Sequence, residues 1–178
     1  MEDILKLLNI PKDVVEFEPL SPGVSEYING LLEQRYDPET GTTKYVVNYN
    51  PKDPGSIPHE LCHVAFRLNG EKTYKELEEA TCRIFEYAYI GEELHTCNPN
   101  TQMDVKVFER LCTHPKLRKS IVNECVGRLY ASIYLSECVM PEDQEVIQKV
   151  YEVAKGGNVI EAYNILAKYC GVNEIQEF

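Results

Sequence analysis

Apolar residues follow two different spacings along the 178-residue chain, and the change between them organises it. Asp3 to Leu8 has helical spacing and stops before Pro11. Pro19, Ser21, Pro22 and Gly23 mark a loop, and Val24 to Arg35, which follows neither period cleanly, is read as a helix. Asp37-Pro38-Glu39-Thr40-Gly41 is a turn, because proline presets one dihedral and glycine accepts positive φ. Thr43 to Tyr49 is rich in β-branched and aromatic residues and predicts a strand.

From there the period becomes helical. Ile57 to Leu68 places Leu61, Val64, Ala65 and Leu68 on one stripe. Ser56 is expected to cap that helix, Pro58 is tolerated in its first turn, and Asn69-Gly70 ends it. A second helix is predicted over Thr73 to Tyr89, then a turn-rich loop from Gly91 to Asn100. Four more helices follow: Asp104 to Cys112, Pro115 to Leu135, Glu142 to Lys155 and Val159 to Tyr169. The predicted class is α+β, with residues 1–100 as a core and 101–178 as a helical region on or beside it.

Composition narrows the function. With 43% hydrophobic and 26% charged residues the chain can bury a core, and its net charge of −11 disfavours direct nucleic-acid binding. Lys116, Arg118 and Lys119 make the one short basic cluster, read as a solvated face. No leader pattern and no membrane-length apolar run is visible. The seven cysteines are scattered without a CxxC pair, which fits buried thiols in a reducing cytoplasm.

The chemistry concentrates at His59-Glu60-Leu61-Cys62-His63. Residues i and i+4 share one helix face, so His59 and His63 can turn ring nitrogens toward one zinc ion. Glu60, offset around the helix, can take a proton from a water on that ion as it attacks a carbonyl. A catalytic zinc site takes three protein ligands, and the next helix offers Glu76, Glu78 and Glu79. Glu78 falls with Tyr74, Leu77, Thr81 and Phe85 on the inner face, where a carboxylate is costly without a partner or metal. It is the expected third ligand, with Glu79 as the alternative on a face shared with Lys72, Lys75, Glu76, Arg83 and Glu86. Thr81 and Cys82 follow one turn later. His95 is read as a surface residue of its loop, His114 as a helix-start residue before Pro115 and Cys62 as core; Tyr87 and Tyr89 could donate a hydrogen bond to an oxyanion.

With HELCH at 59–63 and a glutamate on the following helix, the chain resembles zincin metallopeptidases of the gluzincin type, most of all the short ImmA/IrrE-like proteins. KYVVNYNPKDPGSIPHELCH followed by YKELEEATCRIFEY runs in that family's order of strand, motif helix and glutamate helix. The resemblance covers about residues 40 to 90. It implies a minimal zincin-like core, a Zn²⁺-dependent endopeptidase acting on a protein or peptide substrate, and a strand near Val46 to Tyr49 bordering the cleft. By the same match His59 and His63 would be ligands and Glu60 the general base. The alternative reading is a zinc-binding protein without hydrolytic activity that serves as an interaction module.

Overall fold

Asp37 reverses the chain through its own carboxylate, which accepts hydrogen bonds from the Glu39 N–H (2.9 Å) and the Thr40 hydroxyl (2.8 Å). Gly41 completes the reversal at φ 68°. The flanking segments therefore pair as antiparallel strands, β2 (Gly30–Asp37) and β3 (Thr42–Tyr49), with Leu32 opposite Val47. The helix expected over Val24 to Arg35 is instead a short helical turn, α2 (Pro22–Ser25), and most of β2. The hairpin turn decides the outcome there, since it places residues 30–37 alongside a strong strand former. The computed structural model describes residues 1–70, 72–116 and 121–175.

The chain divides into two compact units, Met1–Gly70 and Glu71–Phe178. The boundary expected near residue 100 falls within the second. The first unit begins with α1 (Glu2–Leu7), whose Ile4 and Leu5 are buried. Next comes β1 (Val15–Pro19), which adds to β3 in parallel, giving the order β1-β3-β2. One sheet face is polar: Lys44 pairs with Glu16 and Arg35 with Glu18 and Glu33, all substantially exposed. Such exposed pairs add little stability. The other face carries Gly30, Leu32 and Val47 and lies on α3 (Ser56–Asn69), which ends at Gly70 in the left-handed conformation, φ 75°.

Burial on α3 is broader than the expected stripe. Pro58 through Val64 are all buried, while Ala65 is half-buried and Leu68 exposed. Ser56 does not cap this helix. Its hydroxyl donates to the Asn29 carbonyl (2.5 Å) and accepts from the Asn50 N–H (3.0 Å), so it ties together the chain entering β2 and the chain leaving β3.

In the second unit α4 (Lys75–Ile90) packs on a π-helical turn (Tyr130–Leu135), α7 (Gln144–Lys155) and α8 (Val159–Tyr169). Between them stand β4 (His95–Thr96), α5 (Pro99–Thr113), α6 (Glu124–Leu129) and β5 (Cys138–Val139), with β4 and β5 paired in parallel. Asn98 and Asn123 cap α5 and α6 by accepting the Thr101 and Val126 N–H groups. The helix expected over Pro115 to Leu135 is thus α6 and the π-turn; Arg118 and Lys119 lie outside the described residues. Arg128 anchors this unit from within, gripping the fully buried Asp143 with two nitrogens (both 2.9 Å) and Glu109 with a third (3.1 Å).

Four cysteines are paired, Cys97 with Cys138 and Cys125 with Cys170, a pairing the sequence left open; Cys62, Cys82 and Cys112 are the buried thiols. The partners stand 41 and 45 residues apart, so only the tertiary fold reveals them. The pairing removes the thiol argument for a cytoplasmic location, because disulfides persist mainly in oxidising compartments. Among the described residues, no helix is long and apolar enough to cross a membrane. The coarse class is α+β, with a small three-stranded sheet and helices dominant.

Candidate metal centre

Helical spacing brings His59 and His63 together as the sequence predicts. Their Nε2 atoms stand 3.3 Å apart, with ring centroids 5.0 Å apart and ring planes inclined at 71°. Both rings are buried. Two nitrogens bound about 2.0–2.1 Å from one tetrahedral zinc stand roughly 3.3 Å apart, so this separation fits a shared ion. An N–H···N bond between the rings would also suit it, and would still bring the two nitrogens together.

Glu60 is buried beside the pair. Its carboxylate lies against the first residue of β2: a Cβ placed on Gly30 would stand 2.5 Å from Glu60 Oε1 and 2.9 Å from its Cγ. Glycine in a strand often marks such a close backbone approach, and that is the one signal by which the sequence could have exposed it.

The helical pattern assigns two faces to α4; the structure keeps the inner one and corrects the other. Glu78 is inward, 2% exposed, and its carboxylate accepts a hydrogen bond from the Thr73 hydroxyl. The opposite face, expected to be solvated, is covered in part, with Lys72 and Lys75 exposed. Glu76 and Glu86 are buried, and Arg83 pairs with Glu86 (3.5 Å) and Glu137 (2.8 Å) while its guanidinium lies 5.1 Å from the Tyr134 ring centre. Partners on the π-turn and at Glu137 offset the cost of covering these charges. Charge patterning alone therefore misplaces Glu79, which is half-buried rather than solvated.

Of the two glutamates weighed as third ligand, Glu78 carries the Thr73 hydroxyl on its carboxylate, and Glu79, one residue on, is half-buried. Of the remaining candidates, Thr81 and Cys82 are buried in α4, with the Thr81 hydroxyl returned to the Leu77 carbonyl (2.8 Å). His95 and His114 are exposed, Tyr87 is half-buried and Tyr89 exposed, and Cys62 is fully buried as a core residue.

Tyr163, which the sequence did not mark, steadies the start of α4. Its hydroxyl oxygen accepts the Tyr74 N–H at 2.9 Å, and burial, opposed by that hydrogen bond and reinforced by Glu78, pushes its phenol up to about 12. A phenol raised above its ordinary value of 10 stabilises the fold fully below pH 10, and that contribution is lost as pH rises through the folded value. The unfolded chain ionises first. The denaturant midpoint of the wild type should therefore fall more steeply between about pH 10 and 12 than that of Tyr163→Phe, by about 2–3 kcal/mol over the window. Parallel slopes would contradict this role.

Comparison of the chain with protein-family models, with curated proteins and with solved structures finds no match. The functional reading rests on the site itself.

Proposed function

We propose that the protein is a zinc-dependent peptidase in which His59, His63 and Glu79 hold the ion and Glu60 is the general base. The single observation that carries the proposal is the 3.3 Å approach of two buried imidazole Nε2 atoms, with a buried carboxylate on the adjoining residue. Imidazole nitrogens with one carboxylate oxygen form a donor set that suits zinc and leaves a fourth position for substrate or water. When bound, zinc supplies a Lewis acid that makes water acidic near neutral pH and polarises a carbonyl. His59 and His63 would contribute neutral nitrogens, which leave the ion's positive charge uncancelled. Glu60 takes a proton from the attacking water and returns it to the departing amine, a shuttle that only a carboxylate outside the ligand set can perform.

On this reading the first unit is the sheet-and-helix half of a minimal zincin-like core, and α4 is its glutamate helix. β3, expected to border the cleft, is the central strand, so the strand with a free edge beside Glu60 is β2. A protein or peptide substrate fits the chemistry, since peptide nitrogen is a poor leaving group that needs both a polarised carbonyl and a returned proton. The test is hydrolysis of denatured, fluorescein-labelled casein by zinc-loaded protein. Cleavage that stops on chelation and returns with zinc is expected. Cleavage indifferent to chelation, or none with zinc bound, would overturn the reading.

A further inference from the structure

Gly30 adopts strand geometry: it begins β2 opposite Tyr49, and it is not among the glycines with positive φ. Its dihedral freedom therefore does not explain its presence. What explains it is space. A Cβ there would meet the Glu60 side chain at three atoms, Oε1 at 2.5 Å, Cγ at 2.9 Å and Cδ at 3.0 Å. An oxygen at the end of a flexible side chain can swing aside, but the Cγ contact requires the whole side chain to shift, and Glu60 is buried.

The backbone preceding Gly30 is itself fastened to α3. The Asn29 carbonyl accepts both the Ser56 hydroxyl (2.5 Å) and the Asn50 N–H (3.0 Å), and the same N–H reaches the Ser56 oxygen at 3.0 Å. Ser56 is 3% and Asn50 8% exposed, so this knot is shielded from water. Ser56 and Glu60 are four residues apart and hence on one helix face. The knot thus fixes the strand one helical turn before the point where Gly30 meets Glu60.

We infer that Gly30, held by the Asn29–Asn50–Ser56 knot, is a positioning residue whose bare backbone sets where the Glu60 carboxylate rests. This rests on Glu60 acting as the proposed base. A side chain at position 30 would move the carboxylate without touching the ligands, and a displacement of about 1 Å in a reacting group can cost on the order of a hundredfold in rate.

The test compares zinc-loaded wild type, Gly30→Ala, Ser56→Ala and Glu60→Gln by zinc content, casein kinetics and crystal structure. Gly30→Ala should keep one zinc per chain, show the Glu60 carboxylate displaced, and lose at least about tenfold in kcat with KM nearly unchanged. Ser56→Ala, which adds no atom and so guards against misfolding of the first variant, should lose a smaller factor in the same direction. An undisplaced carboxylate in Gly30→Ala, or wild-type kcat in both variants while Glu60→Gln is inactive, would overturn the inference alone. Wild-type turnover in Glu60→Gln would instead overturn the peptidase reading on which it stands.

Discussion

Glu60→Gln is expected to retain one zinc per chain and to lower peptide turnover by roughly 10²–10⁴-fold, the usual contribution of a positioned proton acceptor. The amide has nearly the same shape as the carboxylate, so packing against Gly30 is preserved and the fold is undisturbed. What changes is proton affinity: an amide takes up no proton near neutral pH. The loss should fall on kcat and kcat/KM alike, because the proton moves only in the transition state. Zinc titration and steady-state kinetics on the same preparation check both halves. Unchanged turnover with bound zinc would indicate a protein that uses the metal for something other than hydrolysis.

The second large effect separates two adjacent glutamates. Glu79→Ala should weaken zinc binding by more than the roughly 10–100-fold that loss of an outer-shell partner costs. Glu78 already holds the Thr73 hydroxyl on its carboxylate, and Glu79 is the α4 carboxylate proposed as third ligand. Glu78→Ala should leave the zinc affinity far less affected and instead destabilise the second unit by about 1–3 kcal/mol, since it leaves the Thr73 hydroxyl without its carboxylate and opens a cavity at a residue only 2% exposed. Competition with a chromophoric chelator measures the first quantity and denaturant unfolding the second. The reverse pattern, zinc lost with Glu78 and kept with Glu79, would restore the assignment that amphipathic spacing favours.

What the sequence made legible follows its local physics. The His59–His63 pair depends only on helical period and on a helix bounded by Gly70, and it appears as expected. The hairpin turn at Asp37 was equally readable because its hydrogen bonds are internal to five residues. Each failure involves a partner outside the segment itself. Residues 30–37 become a strand because β3 is available to pair with them. Arg83 and Glu86 look like part of a solvated face until Tyr134 and Glu137 engage Arg83. Ser56 looks like a cap, yet its hydroxyl is claimed by Asn29, 27 residues earlier. The cystines, with partners more than 40 residues apart, leave no local trace.

The most direct measurement is an anomalous-difference map at the zinc edge from crystals of the zinc-loaded chain. A single strong peak is predicted about 2.0–2.1 Å from Nε2 of both His59 and His63, with a Glu79 carboxylate oxygen completing the protein ligands. A map without a peak there, with the two rings joined only by a hydrogen bond in protein saturated with zinc, would contradict the account at its root.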